Sequence, residues 1–180
     1  RKILSQLGPQ GRLISFDKDL YAIANAQQIT DARFHIVHDS FATMSDALRE
    51  QGVAQVDGIL MDLGISSPQV DDAERGFSFR NDGPLDMRMN PSQGVSAADW
   101  LVTVSEEDLA NVLFQYGEEK FSRRIARAIK KEVEIAPITS TKKLSDIVAE
   151  AHPSWERHKN PATRSFQAIR IAVNHELDDI

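Results

Sequence analysis

The chain has 180 residues, a net charge of −6 at neutral pH, 41% hydrophobic and 27% charged residues, and no cysteine. That is enough chain for one domain with a real core and room for a small second module, and no stretch approaches the ~18 apolar residues of a membrane span. Without cysteine there is no disulfide frame, thiolate metal site or thiol nucleophile; with Ile3-Leu4 too short for a signal peptide, a cytoplasmic, non-membrane protein is expected.

The chain begins at Arg1 rather than Met, so a native amino terminus upstream of these residues is expected. Residues 1–7 read as the tail of a helix stopped by Gly8-Pro9. Leu13 to Phe16 reads as a strand ending in Asp17, Leu20 to Ala26 as a short helix with Leu20, Ile23 and Ala24 on one face, and Phe34 to Val37 as the next strand. Thr43 to Gln51 is expected to be helical. Ile59-Leu60-Met61 is an apolar run too short for a helix, and reads as a third, buried parallel strand closed by Asp62. Strand, helix, strand, helix, strand at this spacing argues for a doubly wound α/β sheet. The strands end in Asp17, Asp39 and Asp62, so the three acids are expected along one edge. Three strands make a small sheet, and partner strands are expected outside these residues.

After Gln69 the pattern changes. Residues 71–94 are rich in charge, Gly and Pro without a period, yet carry Phe77, Phe79, Leu85, Met87 and Met89, so the loop is expected to pack onto a core. Ser96 with Asp99 and Ser105 with Asp108 have capping-box spacing. Helices are expected over Glu106–Tyr116, Glu118–Glu134, Ser140–Ala151 and 163–180. Residues 120–170 hold 12 Lys and Arg against 5 Asp and Glu, whereas the rest of the chain holds 9 against 22. A basic segment on an acidic protein points to a local polyanion-facing surface, although solvated helix faces give the same pattern.

In open α/β sheets ligands bind at the carboxyl ends of the strands. Asp17 stands where a carboxylate accepts the ribose hydroxyls of an adenosine-type ligand, normally about 20 residues after a glycine-rich turn. Phe41 is placed to stack on a flat ring or to fill the core; Asp39 to accept an exocyclic amine or to cap the next helix. Ser66-Ser67-Pro68-Gln69 follows Asp62 where a second substrate would meet the first. His35-x-x-His38 has metal-like spacing, but on a strand the two rings point to opposite faces.

The stretch Asp57-Gly58-Ile59-Leu60-Met61-Asp62-Leu63-Gly64-Ile65-Ser66-Ser67-Pro68-Gln69 resembles the signature of the bacterial RsmH (MraW) family of S-adenosylmethionine-dependent 16S ribosomal RNA (cytosine-N4) methyltransferases. The likeness continues through residues 71–79 and 82–89, Tyr116-Gly117-Glu118-Glu119-Lys120-Phe121, and residues 160–170. It implies methyl transfer from S-adenosylmethionine to the N4 amine of a cytidine in the decoding centre, with the small ribosomal subunit as partner. It also implies that Asp17 binds the cofactor ribose, Phe41 lies along the adenine, and Asp62 and Gln69 complete the pocket. Ser66, Ser67 and Pro68, with Asp62, occupy the loop of the reacting amine, but depart from the Pro-Pro-aromatic ending of other amino-methyltransferases. Arg123, Arg124, Arg127, Lys130, Lys159 and Arg164 are the candidate RNA contacts.

By the same resemblance the fold is a partial Rossmann-like methyltransferase sheet with an inserted all-helical domain. Residues 1–70 form the cofactor-binding part, 71–160 the inserted substrate-recognition part, and 161–180 a helix returning to the sheet. The family's Gly-Gly-His cofactor loop is expected before Arg1 and its later strands after Ile180. No metal is implied, and a homodimer is left open. Two rival readings share the sheet or the basic surface: a nicotinamide-dependent oxidoreductase, and a non-enzymatic ribosomal-RNA-binding or assembly module.

Overall fold

The computed structural model describes residues 1–153 and 160–180 and is mixed α/β, with a two-stranded parallel sheet and eight α-helices among the described residues. Contacts divide the chain into two units: Arg1–Asp62 with Asp178–Ile180, and Leu63–Leu177.

In the first unit β1 (Leu13–Asp17) and β2 (Phe34–His38) run parallel, in register from Leu13 opposite Phe34 to Asp17 opposite His38. A parallel pair needs a crossover, and here it contains α1 (Leu20–Ala26), which buries Ile23. Asp19 caps α1, its carboxylate accepting from Tyr21 N at 2.9 Å. The Arg33 guanidinium fastens the entry to β2: it donates to the Leu7 carbonyl at 2.8 Å and grips Asp31 at 2.6 Å. A short 3₁₀ turn, Phe41–Thr43, leads from β2 into α2 (Met44–Glu50). Residues 4–6 form only a 3₁₀ turn, so the expected helix tail is confined to these three residues.

The expected third strand does not form. Residues 53–66 pair with no strand, and Ile59, Leu60 and Met61 are 57%, 80% and 50% exposed. A strand exists through its neighbours: its N–H and C=O groups need partners on an adjacent strand. β1 and β2 pair only with each other among the described residues. With no strand beside it among the described residues, this apolar run stays solvated.

The second unit is helical: α3 (Ser67–Asp71), α4 (Ala97–Thr103), α5 (Glu106–Gly117), α6 (Ser122–Ile135), α7 (Thr141–Ala151) and α8 (Ala162–Asn174). α5 packs against α6 and α8, and α7 closes on both. Leu109, Leu113, Ile125, Ile129, Leu144, Val148 and Ile169 are buried at 0% exposure, each on the apolar stripe of its helix. Ser96, Ser105 and Ser140 cap α4, α5 and α7, each hydroxyl accepting the N–H three residues on. Such a cap contributes about 1 kcal/mol.

Two boundaries differ from expectation for one reason, a residue in the left-handed region. Glu118, at φ 51°, ends α5, so α6 starts at Ser122. His175, at φ 53°, ends α8, so the helix stops well short of Ile180. α8 itself packs on α5 inside the helical unit; only residues 178–180 cluster with the sheet. Gly117 makes the α5–α8 approach: a Cβ there would stand 2.6 Å from the Arg164 carbonyl oxygen.

The loop over residues 72–96 does pack. Phe77, Leu85 and Met87 are buried, and Phe79 sets its ring edge-on to Phe166 at 4.8 Å. Arg75 is 8% exposed; its guanidinium donates to the Arg88 and Met89 carbonyls at 3.2 and 3.1 Å and lies over the Phe77 ring. Asn174 fastens the loop to α8, donating to the Met87 carbonyl and accepting from Met89 N, both at 2.7 Å. That clamp holds Met87 in the left-handed region at φ 63°, a conformation costly for a side chain with a Cβ. No described helix is long and apolar enough to cross a membrane.

Candidate active site

Within the sheet unit, Asp17 is the last residue of β1 and Phe41 follows the end of β2, so parallel pairing brings both to the same edge. Asp17 is half-buried, and its Oδ1 accepts from Asp19 N at 2.8 Å, a turn closed by its own side chain. Burial pushes the Asp17 carboxyl above the usual carboxylate range; the Asp19 N–H opposes this, while the nearby Asp19 charge adds to it. Asp19, 4% exposed, faces the helix it caps. Phe41 is half-buried.

The turn that carries Asp17 is held at two further points. His38 Nε2 donates to the Lys18 carbonyl at 3.1 Å, which requires the ring proton on Nε2. The Lys18 ammonium pairs with Asp179, at the opposite end of the chain. Opposite charges 161 positions apart leave no local sequence signal.

Asp39 has a local role. Its two oxygens accept from Ser40 N at 2.7 Å and the Thr43 hydroxyl at 3.0 Å, so it fastens the turn that presents Phe41. Asp62 does not end a strand. It is exposed on the unpaired stretch, so of the three acids expected along one sheet edge only Asp17 and Asp39 stand at strand ends.

In the helical unit Ser66, Ser67 and Pro68 are exposed at the start of α3. Gln69 is 5% exposed, and its Oε1 accepts from Ser66 N at 2.9 Å, the return half of a capping box. Gln69 thereby fixes the shape of the loop holding the two serines and Pro68, a local role its spacing from Ser66 already encoded.

The basic candidates separate by what they touch. Arg123 and Arg124 are exposed on α6, with no carboxylate paired to either among the described residues. Arg127 reaches Glu106 at 3.4 Å, an exposed and weak pair. Lys130 donates to the Leu101 and Val102 carbonyls at 2.9 and 3.1 Å, capping the end of α4. Arg164 is half-buried at the start of α8, and Lys159 lies outside the described residues. Phe121 leans edge-on against His152 at 4.9 Å, beside the buried Glu119, whose Oε1 accepts from Phe121 N. Among the described residues no cluster of three His, Cys, Asp or Glu side chains has the arrangement of a metal site.

The strand-end carboxylate and the aromatic ring belong to the sheet unit, the capped polar loop and the basic helices to the helical unit. The sequence model of the MraW methylase family matches residues 1–180, and the chain belongs to that family. It is 59% identical over 183 residues to the ribosomal RNA small subunit methyltransferase H of Marinomonas sp. (strain MWYL1), covering all of this chain and 58% of the relative. It is 58% identical to the protein of that name from Janthinobacterium sp. (strain Marseille), covering 100% of this chain and 56% of the relative. The Acinetobacter baylyi protein of the same name is 56% identical, with 100% and 59% covered. The chain thus spans somewhat over half the length of the curated relatives it matches.

Proposed function

We propose that the full-length protein transfers a methyl group from S-adenosylmethionine to the N4 amine of a cytidine in the decoding centre of 16S ribosomal RNA. The observation that carries this reading is the half-buried Asp17 carboxylate at the end of β1, in a chain matched throughout by the methylase family. The residues fit the cofactor's nucleoside: an acid suited to two vicinal hydroxyls, with an aromatic ring at the neighbouring strand end. When bound, S-adenosylmethionine supplies an electrophilic methyl group on a sulfonium.

In this reading Asp17 accepts from the ribose hydroxyls, Phe41 lies along the adenine, and Asp62 and Gln69 complete the cofactor pocket. The exposed Ser66-Ser67-Pro68 loop, held in shape by Gln69, receives the target amine. That amine is a weak nucleophile because its lone pair is delocalised into the ring. Acceptors on its protons, from the serines or the Asp62 carboxylate, orient it and return electron density to nitrogen. A base in structured RNA must first be unstacked to reach such a loop.

Residues 71–160 are read as a helical substrate-recognition domain inserted into a methyltransferase domain that holds residues 1–70 and the chain end. The grouping of residues 178–180 with the sheet unit supports a return of the chain after α8. Arg123, Arg124, Arg127, Lys159 and Arg164 neutralise phosphates, which makes binding salt-sensitive. Lys130 contributes by holding α4 against α6. A ribosomal substrate puts the enzyme in the cytoplasm, and nothing in this reading requires a second copy of the chain. No feature of the site favours the nicotinamide-dependent or non-enzymatic readings.

The test is labelled-methyl transfer by the full-length protein to small ribosomal subunits lacking the modification, with mass spectrometry of the digested RNA. N4-methylated cytidine is expected; label on another atom, or none, rejects the reading.

A further inference from the structure

We propose that Lys18 and Asp179 are positioning residues for the Asp17 carboxylate, their ion pair holding the two-residue turn between β1 and α1 in the shape that presents it. The proposal rests on the reading of Asp17 as the ribose-binding acid.

Lys18 is the only residue between the end of β1 and Asp19, the cap of α1. Asp17 accepts from the Asp19 amide, and Asp19 accepts from the Tyr21 amide. Both act along the chain. Contacts from elsewhere tie the turn down across the chain: His38, from the neighbouring strand, holds the Lys18 carbonyl, and Asp179 holds the Lys18 ammonium. The Lys18 and Asp179 side chains are only 28% and 16% exposed, so the pair is shielded from the solvent that makes surface ion pairs weak.

The pair has a second effect. Lys18 adjoins Asp17, and an ammonium released from Asp179 has two carboxylates within two residues, Asp17 and Asp19. An ammonium settled on Asp17 would occupy the oxygens that the ribose hydroxyls require. Asp179 draws the positive charge away and leaves Asp17 as an acceptor. A residue from the far end of the chain thereby governs the cofactor site without touching the cofactor.

The experiment uses the full-length protein and S-adenosylmethionine. Cofactor affinity is measured by calorimetry, and KM and kcat by methyl transfer, for K18M, D179N, and the charge-conserving K18R and D179E. K18M and D179N are each expected to weaken cofactor binding roughly tenfold, about 1.4 kcal/mol, raising KM for the cofactor while kcat stays within a factor of two. K18R and D179E are expected to recover most of the affinity. Thermal melting separates this from a structural role: if D179N melts lower yet binds normally below its melting temperature, the proposal is overturned. Should D179N not fold, K18M, which leaves Asp179 in place, carries the same test. Unchanged affinity in D17A overturns the ribose reading and this proposal with it; lost affinity in D17A with normal affinity in K18M and D179N overturns this proposal alone.

Discussion

The sheet unit and the helical unit are built from similar residues but stand differently on their own. A helix satisfies its backbone within itself and needs neighbours only for its apolar stripe. In residues 63–177 five of the six helices supply that stripe to one another, and eight large aliphatic side chains reach 0% exposure. A strand needs neighbours for its backbone as well. In residues 1–62 both strands are at best half-buried, the buried apolar side chains are Leu4 and Ile23, and the 59–61 run pairs with no strand among the described residues. Local pattern suffices for a helical bundle; a parallel sheet is decided by segments far away in the chain.

Hydrogen exchange on the 180-residue chain tests that contrast where its effect is largest. Amides of α5 and α6 around Leu113 and Ile129 are expected to exchange only by global opening, an energy on the order of 5–15 kcal/mol. Those of Ile59, Leu60 and Met61 are expected to exchange almost as a free peptide. Strong protection at Ile59–Met61 would show a strand pairing absent from this architecture.

Core truncation follows in size. Ile125→Ala removes a fully buried side chain between α5 and α6 and is expected to cost about 2–5 kcal/mol in denaturant unfolding. A loss below about 1 kcal/mol would mean that the bundle repacks, and that its buried stripe is not what distinguishes it from the sheet.

The smallest effect is the pH dependence that Asp31 contributes in the sheet unit. The Arg33 side-chain hydrogen bond holds the Asp31 carboxyl down at about 2, against 3.8 for the free group. A lowered carboxyl stabilises the fold above its unfolded value, and the contribution is lost as pH falls from 3.8 through about 2. Melting temperature against pH is therefore expected to fall more steeply across that window in the wild type than in Arg33→Met. Parallel curves would show that the grip of Arg33 on Asp31 adds nothing. Asp17 runs the other way: burial raises its carboxyl, so its contribution is present below 3.8 and lost as pH rises through its folded value.

What was legible in the sequence follows the same division. α5 and α7 are readable from 3.6-residue spacing, and the cap of α5 from Ser105 and Asp108, all local signals. The apolar count of the 72–96 loop announced that it packs, but not how: Arg75 reads as one more surface charge, and becomes a buried anchor only through carbonyls 13 and 14 residues away. Asn174 and Asp179 were invisible because their partners lie 85 and 161 positions away. Within the candidate site, the strand-end position of Asp17 was readable from an apolar run closed by an acid. The identical pattern at Asp62 misled, because spacing does not reveal whether a neighbouring strand is present. Glu118 and His175 end their helices by backbone conformations that neither residue type announces.

The central claim, that Asp17 is the acid on which cofactor binding turns, is tested most directly by calorimetry of S-adenosylmethionine with the full-length protein and its Asp17→Ala variant. The account predicts binding in the wild type and none measurable in the variant, with the melting temperature of the helical unit unchanged. Equal affinity in the two proteins would contradict it.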